Sequence, residues 1–181
     1  MLQSLNAELL SHDSATATLE RWCSVHHLAD PPVVVAERIT GAELPPTPEQ
    51  RRELRVSDTQ IVRHRRVLLR CGEVVLSEAD NWYVPDRLTP QMNRLLDQTD
   101  MPFGKVVKPL GFHRHTLGVS LLWRPLPEGW EHVHSLPSSG RLTLPEHLLQ
   151  HRALLQLPDG TPISEVMETY TREVMAFRVA N

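Results

Sequence analysis

The spacing of apolar residues changes several times along this chain, and each change marks an element. Leu2, Leu5, Leu9 and Leu10 recur at helical spacing and predict a short helix over residues 2–11. "DSATATLERWC" predicts a second helix, started by Asp13 or Ser14 as N-cap and anchored by Leu19 and Trp22. The period then falls to two. Val33–Ile39, Gln60–Cys71, Val74–Val84, Phe112–Trp123, His147–Leu157 and Ile163–Met175 read as strands. Gly72-Glu73 and "PDGT" supply hairpin turns. Between the strands, "RLTPQMNRLLDQT" predicts a helix with Thr89 as N-cap, Pro90 in the first turn and a stripe of Met92, Leu95 and Leu96.

Three segments break the pattern. "TGAELPPTPEQ" reads as a loop, and "DMPFGKVVKPLG" as a loop bounded by Pro and Gly with room for one helical turn. Residues 125–145, rich in Pro, Gly and Ser, read as an inserted loop. Hairpins of short strands, two helices in front and one in the middle predict an α+β fold. It is a single domain over 1–181, a mostly antiparallel sheet of five or six strands with helices packed on one side.

Composition narrows the function classes. With 181 residues and a formal net charge of −3, nothing favours nucleic acid or an acidic membrane surface. No apolar run approaches the roughly 18 residues of a membrane span, and the N-terminus lacks the basic-then-apolar order of a secretion signal. Cys23 and Cys71 are too few for a disulfide framework, so a reducing, cytoplasmic location is expected. Phosphate-loop, dinucleotide-binding, nucleophile-elbow and zinc-protease motifs are absent from the sequence.

The unusual chemistry lies in two strands. In "VRHRRVLLRCG" one face carries Val62, His64, Arg66, Leu68 and Arg70, and the other carries Arg63, Arg65, Val67, Leu69 and Cys71. Neither is cleanly apolar. Either the strand is wet at its start and buried at its end, or an arginine points into a pocket that holds a carboxylate. In "GTPISEVMETYTREVM", Glu168 stands between Val166 and Tyr170 on one face. It is either a rim carboxylate paired with an arginine, or a desolvated acid or base. The pairs His113/His115 and His132/His134 have a spacing some metal sites use, but acidic or cysteine partners at ligand spacing are missing, so no metal is expected.

Several stretches together resemble the bacterial chorismate lyases, whose fold also resembles the effector-binding domains of some bacterial transcription regulators. "SHDSATATLERW" resembles the family's Asp-Ser helix start. "RVLLRCGEVVLSEADNWYVP" resembles its arginine strand and hairpin partner, "MPFGKVV" its Pro-Leu-Gly-Arg loop, and "GTPISEVMETY" its late glutamate strand. The resemblance implies a carbon–oxygen lyase that eliminates pyruvate from chorismate to leave 4-hydroxybenzoate, a step toward ubiquinone, without metal or organic cofactor. It places the substrate-carboxylate arginine at Arg66, the catalytic acid at Glu168 and the loop contacts at Phe103, Gly104 and Lys105. Ala15 stands near the family's pocket methionine and Lys105 at its loop arginine, and the 125–145 loop is extra. The alternative it leaves open is a non-catalytic protein that binds small aromatic carboxylates.

Overall fold

A computed structural model describes residues 1–41, 43–124 and 143–177. Most of the 125–145 insertion, with His132 and His134, lies outside the described residues. The elements in chain order are α1 (Leu2–Ser11), α2 (Ala15–Val25), β1 (Val34–Arg38), α3 (Pro48–Glu53), β2 (Arg63–Cys71) and β3 (Val74–Tyr83), then α4 (Pro90–Gln98), α5 (Phe103–Val107), β4 (His113–Leu121), β5 (His147–Gln156) and β6 (Pro162–Thr171). All six strands join one antiparallel sheet in the order β1-β2-β3-β6-β5-β4.

Helices α1, α2, α4 and α5 pack on one side of this sheet, as the alternation predicts. Leu5, Leu9, Leu19 and Trp22 close over Val67, Leu69, Ala79, Val166 and Tyr170 in the main core. Leu10, by contrast, lies outside the buried stripe of α1. Met92 and Leu96 of α4 join Phe103, Val106 and Val107 of α5 in a second cluster against Tyr83 and Leu155. Each fully buried Leu or Val side chain stabilises by about 1.5–3 kcal/mol, so these two clusters hold the layers together. Ser14 is the N-cap of α2 and accepts from the Ala17 N–H at 3.2 Å. The tight β2–β3 turn needs Gly72: its φ is +57°, and a Cβ there would stand 2.8 Å from the Ala29 Cβ.

Three features depart from the expected pattern. The stretch expected as a plain loop runs into the first half of α3, a six-residue helix with a full capping box. Thr47 accepts from the Gln50 N–H at 3.2 Å, and the Gln50 side chain accepts from the Thr47 N–H at 2.9 Å. Leu54, just past α3, packs with Trp82 and Leu154 at the end of the sheet's other face. Thr47→Ala should lower unfolding free energy by about 1 kcal/mol in urea titrations, the usual worth of such a cap; no change would mean tertiary contacts alone hold α3. Second, β6 stops at Thr171, whose hydroxyl accepts from the Glu173 N–H and starts a 3₁₀ turn over Arg172–Met175. Third, Cys23 and Cys71 form a fully buried disulfide that ties α2 to the end of β2. Their separation of 48 residues corresponds to roughly 4 kcal/mol in the loop-entropy account.

Candidate functional site

A strand alternates its side chains, so one residue of β2 decides what every other faces. Cys71, Leu69 and Val67 are buried against the helices. Arg65 lies six residues before Cys71, an even step, and is therefore on that same inner face; it is 5% exposed. Arg66 lies five before, an odd step, and is on the opposite face. There its guanidinium is 3.3 Å from Glu78, a carboxylate that also meets the His147 imidazole at 3.2 Å. The expectation that Arg66 points into a pocket is thus corrected: Arg65 is the inward arginine.

Arg65 opens onto a pocket between the sheet and the helices, with an empty volume of about 500 Å³ counting its open mouth. Its floor is Val67, Leu69, Ala79, Val166 and Leu155, and its roof is the first turn of α2 with Phe103, Gly104 and Phe112. Ala15, Phe103, Gly104 and Glu168 are brought together here, and Asn81 and Arg114 join them. Asp13 fastens the roof to the edge strand by accepting from the Arg114 N–H at 2.8 Å. Lys105 stays outside. Its ammonium donates to Glu20 at 2.5 Å and to the Val34 carbonyl at 3.3 Å, beside a neighbouring cleft that shares Asp13, Ser14, Gly104 and Phe112 with the pocket.

The charges are unequally matched. Glu168 accepts from Arg114 at 2.6 Å and from the Tyr170 hydroxyl at 3.1 Å, and the side chains of the ion pair are only 4% and 7% exposed. Burial alone would depress the Arg114 guanidinium, but Glu168 beside it holds it above its ordinary value. Burial, then Glu168, raises the Tyr170 phenol well above its usual range. Arg65 has no carboxylate in direct contact, and Asp100 and Asp97 act on it only from a distance. It donates to the carbonyls of Thr99 and Met101 at 3.4 and 3.2 Å, and its Nε is buried with no partner. Among the described residues no carboxylate lies within 4 Å of it, and burial, then Arg38, pushes its pKa down.

Below the Arg114–Glu168 pair, His151 is fully buried, is 2.8 Å from Asn6 through Nε2 and has no partner at Nδ1. Burial first and Arg114 second lower its pKa to about 4. Glu78, Glu146 and His147 bring possible ligand atoms within 4.8 Å of one another, but Glu78 already pairs with Arg66 on the sheet face away from the pocket.

Arg65 could have been found from the sequence by counting parity back from Cys71. Arg114 was hidden inside the "HRH" that drew attention to its histidines. Asn81 carries no local signal: the β2–β3 hairpin brings it near, but only the register shift between Leu69 and Arg70 sets it, rather than Asp80, opposite Arg65.

No protein-family model matches the chain. Among solved structures, PhnF from Mycobacterium smegmatis is similar with a TM-score of 0.52 and 14% identity, covering 94% of this chain and 68% of PhnF. The effector domain of PhnF alone is similar with a TM-score of 0.50 and 12% identity, covering 82% of this chain and 88% of that domain. A GntR-family transcriptional regulator from Enterococcus faecalis V583 is similar with a TM-score of 0.50 and 8% identity, covering 81% and 99%. The chain spans 61% of the length of YydK from Bacillus subtilis, described as a possible transcriptional regulator. The likenesses to PhnF, its effector domain and the Enterococcus regulator establish the fold: an antiparallel α+β domain. They also overturn the expected lyase. The similar structures include a GntR-family transcriptional regulator and the effector domain of PhnF, and the arginine assigned to the substrate faces away from the pocket. Over 180 residues, 98% of this chain and 76% of the other, the sequence is 50% identical to the uncharacterized protein y4mC of Sinorhizobium fredii (strain NBRC 101917 / NGR234), and this chain belongs to the same family as that protein.

Proposed function

We propose that the protein is a binding domain for a small aromatic carboxylate, which it holds without converting it. The observation that carries this reading is Arg65, a cation 5% exposed in an apolar pocket with no paired carboxylate among the described residues. A buried charge without a partner is costly, and an anionic ligand supplies the missing one. The walls, Val67, Leu69, Phe103 and Phe112, suit a flat apolar body. Glu168 is already engaged by Arg114 and Tyr170, so it serves as part of the wall rather than as a base. The effector domain of PhnF shares the fold, and the role of effector receiver is the one assigned here. With a net charge of −3, the chain itself lacks the basic excess that contact with nucleic acid needs.

Titration calorimetry with 4-hydroxybenzoate tests this. The parent should bind saturably. Arg65→Ala should weaken binding about 10- to 100-fold, the range for a hydrogen bond to a charged group. Arg66→Ala should bind like the parent. Equal affinities for the parent and Arg65→Ala would remove the reading.

A further inference from the structure

We infer that Asn81 completes an anion clamp with Arg65, that Ser164 sets the direction of its amide, and that the clamp selects a carboxylate over the matching neutral amide; this rests on the reading of the pocket as an anion site. Arg65 and Asn81 are directly opposed residues of neighbouring antiparallel strands. Such partners have Cβ atoms about 4.5–5.5 Å apart on one face of the sheet. Both are 5% exposed, and both line the same pocket.

Ser164 is fully buried on β6, and its hydroxyl donates to Asn81 Oδ1. That bond makes Oδ1 the occupied end of the amide and leaves the Nδ2 hydrogens free. Among the described residues nothing accepts from Nδ2, and the Arg65 guanidinium is held only by the Thr99 and Met101 carbonyls. Two buried residues with spare donors, side by side, are matched by one planar acceptor. A carboxylate fits: one oxygen takes the guanidinium, the other takes the amide. Ala79 and Val166 flank Asn81 along and across the sheet, so the body of the ligand rests on small apolar side chains. A neutral primary amide would turn an N–H₂ toward one of these donors and leave the Arg65 charge unmatched.

Asn81→Asp is the informative variant. It keeps an oxygen for the Ser164 hydroxyl and puts a second oxygen where Nδ2 was, facing Arg65. The protein then carries its own carboxylate in the ligand's place. Affinity for 4-hydroxybenzoate should fall at least about 10- to 100-fold, the preference over 4-hydroxybenzamide should vanish, and the ligand-free protein should melt a few degrees higher. Asn81→Leu should also lose the acid, without the rise in Tm. Ser164→Ala should weaken acid binding and Ser164→Thr should restore it, because threonine keeps the hydroxyl.

The outcomes separate the clamp from the pocket reading. If Arg65→Ala loses 4-hydroxybenzoate but Asn81→Asp and Asn81→Leu bind it like the parent, the clamp is wrong and the pocket reading stands. If the parent binds neither probe, the aromatic-acid reading fails. The ligand-free Tm of Asn81→Asp then decides the clamp: a rise supports an Asn81 facing an unmatched Arg65, and no rise overturns it.

Discussion

Glu168→Gln is expected to lower the free energy of unfolding by about 3–5 kcal/mol, the scale for removing one partner of a buried ion pair. The pair it breaks is sealed: Arg114 and Glu168 are 2.6 Å apart with side chains 4% and 7% exposed. Glutamine keeps the shape but leaves the guanidinium buried without a counter-charge. Tyr170 also loses a charged acceptor for its hydroxyl. Urea unfolding at neutral pH reads the loss directly. A triple replacement, Arg114→Met, Glu168→Leu and Tyr170→Phe, should recover most of it, because removing all three leaves no orphaned polar group. A loss below about 1 kcal/mol for Glu168→Gln, as at an exposed pair, would mean that the pair is wet and the pocket wall looser than described.

Acid should destabilise the protein through His151. Burial pushes its folded-state pKa down to about 4, below the ordinary imidazole value of 6.5. Between those two values the unfolded chain takes up the proton and the native state does not, so stability falls as pH falls. The contribution is complete above pH 6.5 and lost as the pH drops through 4. Over that window it amounts to about 3 kcal/mol, at 1.36 kcal/mol per pKa unit. The cause is geometric: the ring is fully buried, and it feels Arg114 more strongly than it feels Glu168. The measurement is unfolding free energy from pH 7 to 4 for the parent and for His151→Gln. The difference between the two curves cancels the carboxylates that titrate in both. Parallel curves would show that His151 keeps an ordinary pKa, and that the Arg114–Glu168 pair does not press on it.

The same geometry explains why the site was harder to read than the fold. Ala15, Phe103, Gly104 and Glu168, which the resemblance singled out, lie on the pocket, each in an element whose start or alternation the sequence also shows. Ser14 caps α2 and orients the first turn, Pro102 precedes the turn of α5, and alternation along β6 turns Glu168 inward with Val166 and Tyr170. Arg66 failed because the resemblance points to it, whereas alternation along β2 puts Arg65, and not Arg66, on the buried face with Val67 and Leu69. Lys105 failed for another reason: Glu20, on a different helix, draws its ammonium away from the pocket, and no spacing reports that contact.

Elements and faces were determined by the sequence alone, because they depend on short-range rules. The period of two or 3.6, the Thr and Ser caps, and the Gly-containing turns each act within a few residues. They led to a sheet of five or six strands, of which the described residues show six, and to helices over one side of it, though not to α3. The strand order, and everything that depends on it, was decided only by the tertiary structure. Inserting β6 between β3 and β5 puts Ser164 beside Asn81 and brings Glu168 within reach of Arg114 on the edge strand. Those partners are 83 and 54 residues apart in the chain. Which buried charge finds a partner, and which, like Arg65, is left for a ligand, depends on desolvation and neighbours across the sheet. No local pattern carries that information.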